Sequence, residues 1–134
     1  MTELFDLTAA QAAEAIRRGE VSSVDLAESL LDRLQRLEPS LQAWVTVDRE
    51  EVLNTARERD SQLKSKGPIG PLHGIPVGLK DIYYTDGVRT AAGSRIYSDF
   101  VPTYDATSVA RLKEAGAIIL GKAVTTEFAN ADPS

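Results

Sequence analysis

Few side chains in this sequence stand where they could do chemistry. Lys80 ends the run Gly74-Ile-Pro-Val-Gly-Leu-Lys80 and is followed at once by Asp81. A lysine set among apolar and glycine positions is a candidate base, because desolvation lowers its pKa from about 10.4 towards neutrality. The competing reading is a strand-end lysine that reaches solvent, and the local sequence does not choose between them. A second candidate, Gly116-Ala-Ile-Ile-Leu-Gly121-Lys122-Ala123, comes within one residue of a phosphate-binding loop. It fails on two counts. The lysine is followed by Ala123 where a hydroxyl must hold magnesium, and the four residues that should curl around a phosphate are strand formers. The single histidine, His73, has no spaced partner, and the chain has no cysteine. Zinc therefore has no ligand set here, and His73 reads as a surface or turn residue.

The elements that must position these residues follow from periodicity and caps. Thr8 with Gln11 forms a capping box ahead of Ala12, Ala13 and Ile16, and Gly19 stops a first helix over about residues 9–18. Ser22 or Ser23 caps a second, whose stripe Val24, Leu26, Ala27, Leu30, Leu31, Leu34 and Leu37 runs to Pro39. Ala43 to Val47 is β-prone, and Asp48 with Glu51 opens a polar third helix to about residue 65. Lys66 to Pro71 is a loop by composition. Ile75 to Ile82 then reads as a strand, with Val77, Leu79 and Asp81 on one face and Gly78, Lys80 and Ile82 on the other. Asp105 is expected to cap a helix through Val109, Leu112 and Ala115 that stops at Gly116, and Ala117 to Leu120 reads as a buried strand.

Strand, helix and strand in that order predict an α/β fold with a right-handed crossover. The helical leader is expected over residues 1–66 and the start of the α/β core over 67–134. With only two confident strands the sheet looks unfinished, so the stripe of the second helix and the run Ile118 to Leu120 are expected to remain exposed. The stretch from Tyr83 to Tyr104 has no period, and a loop of that length is usually functional or covered by other structure.

Composition narrows the class. The 134 residues are 43% apolar and 26% charged, with a net charge of -5 and no basic block, which argues against a nucleic-acid surface. No stretch approaches the roughly 18 apolar residues of a membrane span, and the start MTELFDLTAAQ lacks the basic and apolar regions of a targeting peptide, so none is expected. A cytoplasmic protein without a membrane partner is expected.

Several ordered blocks carry more than composition does. Gly70-Pro-Leu-His-Gly-Ile-Pro-Val-Gly-Leu-Lys80-Asp81, Gly87-Val-Arg-Thr90, Gly93-Ser94, the segment Tyr104 to Lys122, and Thr126-Glu-Phe-Ala129 together resemble the opening of the amidase signature family. The resemblance implies an amide-bond hydrolase of linear carboxamides, without a cofactor, in a large domain with a mixed sheet between helices. It implies a Ser, cis-Ser, Lys triad in which Lys80 is the lysine, drawing a proton from the nucleophilic serine through the cis-serine. The family's glycine- and serine-rich loop is expected after the Glu-Phe-Ala block. Ser94, Ser98, Ser108 and Ser134 do not stand in such a loop, so neither serine is assigned. On this reading the chain is the N-terminal part of a domain, inactive alone, whose partners are a small-molecule amide and the remainder of the same domain; homo-oligomerisation is left open. The family also holds the amidase subunit of glutamyl-tRNA amidotransferase. The segment Ala123 to Ser134 departs from the Asp-Glu-Phe-Ala-Met-Gly pattern expected there, which favours a general amidase. A non-catalytic binding module is the third reading, should residues 1–134 be the mature product.

Overall fold

The computed structural model of the protein describes residues 3–130. After a 3-10 turn, Leu4–Asp6, helix α1 spans Ala9–Arg17. It opens on the expected capping box: the Gln11 N–H donates to Thr8 Oγ1 at 3.2 Å and the Thr8 N–H to Gln11 Oε1 at 2.9 Å. Helix α2, Ser23–Leu41, opens on a second box between Ser22 and Asp25. Its next two amides, those of Ser23 and Val24, donate to the Asp60 carboxylate at 2.7 and 3.2 Å. A carboxylate from another helix thus satisfies donors that a helix start leaves open. Pro39 does not end α2 as expected. It falls in the last turn, and the helix closes beyond it on Gln42 at φ 51°, whose N–H donates to the Glu38 carbonyl at 2.9 Å.

Strand β1, Trp44–Thr46, is followed by α3, Arg49–Lys66, then β2, Pro76–Lys80, α4, Thr107–Glu114, and β3, Ile118–Ala123. The sheet has the order β1-β3-β2, with β3 antiparallel to β1 and parallel to β2. This is the expected α/β fold, and the sheet is mixed. The parallel pair is joined through α4. Asp105 does not cap α4: Ala106 holds that position without a side-chain bond. The Asp105 carboxylate instead accepts from the Asp86 N–H at 2.8 Å and Lys113 Nζ at 2.7 Å, tying the long loop to the helix.

The expected exposure of the α2 stripe and of β3 is not found. Ala27 and Leu31 of α2, Val52, Leu53 and Ala56 of α3, and Ile118 and Leu120 of β3 form one buried cluster. A second cluster joins Ala12 and Ile16 of α1, Leu26 of α2 and Ile75. The polar helix α3 thus covers the sheet with only a few small apolar residues. What stays exposed is the end of the stripe, Leu37 and Leu41, and residues of the long loops such as Ile96, Tyr104 and Phe128.

His73 is not at the surface. It is 3% exposed, in a turn, where Nδ1 accepts the Ile69 N–H at 3.1 Å and Nε2 lies 2.9 Å from the Arg59 carbonyl. That pairing assigns the proton to Nε2. The ring clamps the 66–74 loop onto α3. On its other side the loop meets the end of α4, where a Cβ on Gly116, at φ +93°, would lie 2.7 Å from His73 Cα.

Candidate active site

Parallel strands β2 and β3 end at the same edge of the sheet, with Lys80 in register with Ala123. In open α/β sheets ligands bind beyond the carboxyl ends of parallel strands, where the outgoing loops diverge. Here the loop after β2 and the segment after β3 are fastened to each other. The Phe128 N–H donates to the Ala92 carbonyl at 2.8 Å, and Ser94 Oγ donates to Glu127 Oε1 at 2.8 Å. A Cβ on Gly93 would stand 2.6 Å from the Thr125 carbonyl oxygen, so the two backbones touch. Ala92, Phe128 and Ala129 hold positive φ of 52°, 50° and 55°. Strained residues of this kind persist where the surrounding structure over-determines them, and they cluster at functional sites.

Lys80 lies at the end of β2 with its side chain exposed, and Leu79 and Asp81, on the other face, are buried. Alternation along the strand therefore presents the lysine outward, and the strand-end reading describes its place among the described residues. Beyond it the loop carries an aromatic cluster. Tyr84 meets Phe100 and Tyr104 at centroid distances of 5.2 and 5.5 Å, and Tyr97 meets Phe100 and Phe128, each at 5.8 Å. Tyr84, Tyr97, Phe100 and Phe128, with Ile82, Thr90 and Ala92, line a hollow of about 260 Å³. A wider hollow of about 700 Å³ under the end of α2 holds Glu38 and Arg49 but no hydroxyl nucleophile. Ser94 is buried and tied to Glu127 and to the Ile96 N–H, a structural role. Among the described residues no three His, Cys, Asp or Glu side chains are grouped to hold a metal, and no helix is long and apolar enough to cross a membrane. Ser134 lies outside the described residues.

A second lysine stands behind the first, and sequence reasoning missed it. Lys122 is fully buried; its Nζ donates to the Tyr83 carbonyl and to Thr90 Oγ1, both at 2.8 Å, and lies 3.5 Å from Asp81 Oδ1. Burial pulls its ammonium below the ordinary lysine value, against the opposing pull of the Asp81 charge. Asp81 Oδ2 accepts the Ala91 N–H at 3.1 Å. The signal was available: a lysine inside a strand buried on both faces demands a partner. Weighing Gly121-Lys122 only as a phosphate loop hid it.

The amidase family model matches residues 25–132. A glutamyl-tRNA(Gln) amidotransferase subunit of Roseiflexus castenholzii is 46% identical over 129 residues, which are 96% of this chain and 26% of that protein. The corresponding subunit of Geobacter metallireducens is 46% identical over 127 residues, 95% of this chain and again 26% of the relative. Among solved structures, the native peptide amidase of Stenotrophomonas maltophilia superposes with a TM-score of 0.86 at 36% identity, covering 93% of this chain and 26% of that one. A fatty acid amide hydrolase superposes with a TM-score of 0.87 at 28% identity, covering 93% and 23%. The chain spans about a quarter of the length of the curated relatives it matches.

Proposed function

Since this chain belongs to the amidase family, we propose that residues 1–134 serve an amide-bond hydrolase, with Lys80 as the base of a Ser, cis-Ser, Lys triad. The observation that carries this reading is the place of Lys80. It stands at the shared carboxyl edge of the parallel strands, facing outward beside two loops fastened to each other, in the block where the family resemblance put its lysine. The two serines come from residues beyond those of this chain. Lys80 takes a proton from the bridging serine, which takes one from the nucleophilic serine as its oxygen attacks the substrate carbonyl. The proton returns along the same path to the leaving nitrogen as the C–N bond breaks, and water then hydrolyses the acyl-enzyme by the same relay. No cofactor is needed, and the enzyme works in the cytoplasm on a small carboxamide.

The test uses the full-length protein and release of ammonia from acetamide, benzamide, L-leucinamide and L-glutamine. Turnover of at least one amide is expected, with Lys80→Ala reduced to background. Silence of the wild type across the panel, or undiminished turnover by Lys80→Ala, overturns the reading. A second reading, the amidase subunit of a glutamyl-tRNA amidotransferase, is favoured by the 46% identity to two such subunits. Ammonia release from glutamine alone, and only with partner subunits present, distinguishes it.

A further inference from the structure

The face of the sheet opposite Lys80 carries a fully buried lysine, Lys122, held by three polar groups. We propose that Lys122 is a positioning residue for Lys80, holding from behind the turn on which the catalytic lysine sits. The inference rests on the reading of Lys80 as the base.

The backbone that follows Lys80 is fixed by Lys122 and its partners. The Tyr83 N–H donates to the Lys80 carbonyl at 3.1 Å, closing a turn, and the Tyr83 carbonyl is the group that accepts from Lys122 Nζ. Between them, the Asp81 N–H donates to the Ala123 carbonyl and the Asp81 carbonyl accepts the Ala92 N–H, both at 2.9 Å. The Asp81 side chain spans Lys122 and the Ala91 N–H. The second hydrogen bond of Lys122, to Thr90 Oγ1, anchors this frame to the loop that lines the aromatic hollow.

A bulge makes the arrangement. Val77 pairs with Ile119, but Gly78 pairs with Gly121, so Leu120 is the extra residue. Had the Val77–Ile119 register simply continued, Lys122 would stand directly opposite Lys80 on one face. With the bulge Lys122 pairs with Leu79 and shares the face of Asp81, and Lys80 pairs with Ala123. Bulges re-aim side chains in this way, often beside active sites. Stability explains the buried pair weakly, since a hydrophobic replacement of such a pair is often neutral or better.

The test measures kcat and KM of the full-length protein on whichever amide of the panel it turns over fastest. Thr90→Val removes one bond to Lys122 at nearly constant shape, Thr90→Ser restores the hydroxyl, and Lys122→Met with Asp81→Asn removes both charges together. Each variant's melting temperature is recorded. The double variant is expected to lose kcat by on the order of tenfold to a hundredfold with KM within about twofold, as small misplacements of catalytic groups do. Thr90→Val shifts kcat in the same direction by less, and Thr90→Ser recovers most of it. Wild-type kcat in folded Thr90→Val and double variants overturns the inference, as does a loss in Thr90→Ser equal to that in Thr90→Val. Should the double variant not fold, the Thr90 pair decides. Lys80→Ala separates the two claims: if it is inactive while the other variants keep wild-type kcat, only the role of Lys122 falls. If Lys80→Ala is active, the triad reading falls and takes this one with it.

Discussion

Lys122 Nζ stands 3.5 Å from Asp81 Oδ1, with side-chain exposures of 0% and 1%. Removing one partner of such a pair leaves the other charged and sealed from water. Lys122→Met alone is therefore expected to destabilise the protein by about 3–5 kcal/mol. Adding Asp81→Asn recovers part of that loss, a coupling that denaturant midpoints of the two single variants and the double variant measure directly. Additive losses would show that the two groups do not interact.

The core makes a simpler prediction. Ile118 is 0% exposed between α2, α3 and the sheet, whereas Leu41 is 63% exposed at the end of α2. Ile118→Ala should cost about 2–5 kcal/mol. Leu41→Ala should stay within about 0.5 kcal/mol. Equal midpoints for the two variants would contradict the placement of the core.

Two glycines with positive φ separate strain from crowding. Gly87, at φ +71°, has nothing within 4 Å of a would-be Cβ, so Gly87→Ala should cost only the left-handed strain, about 1–2 kcal/mol. Gly116→Ala adds a clash with the His73 backbone at 2.7 Å and should cost at least twice as much. Thermal melts of both variants test the order.

Asp105 supplies a pH dependence. Burial works to raise its pKa, but the Lys113 hydrogen bond and charge and the Asp86 N–H outweigh it, holding the carboxyl below 3.8. The folded state then binds fewer protons than the unfolded chain just below that value. The stability from Asp105 is complete above the ordinary carboxylate range and is lost as pH falls through the lowered value. Asp105→Asn should flatten the drop in urea midpoint between about pH 6 and about pH 3. An unchanged acid slope would show that the contact contributes nothing.

Local rules made the helix starts legible: Thr8, Ser22 and Asp48 cap the helices they were expected to cap. Periodicity likewise placed Lys80 opposite Leu79 and Asp81. What local rules could not reach were partners distant in sequence. Asp60 completes the start of α2 from α3, and Asp105 bonds Asp86 and Lys113 instead of its own helix. His73 does lie in a turn, as one of the two expectations had it, but its burial was not foreseen because its two partners, the Ile69 N–H and the Arg59 carbonyl, are backbone groups that no side-chain motif announces. That Lys122 needs a partner was legible, but which partner was not, since the bulge at Leu120 that turns it towards Asp81 exists only when β2 and β3 are paired.

The central position of β3 has a consequence for synthesis. Among the described residues, Trp44 and Val77 find their strand neighbours in Ala123 and Ile119, which leave the ribosome well after them. Helices α1 to α3 can associate early, but the backbone bonds that join β1 and β2 to this sheet wait for β3 to emerge. Non-local pairings of this kind slow assembly, and β1 and β2 spend that interval as open edges that a chaperone, or a neighbouring nascent chain, can take first.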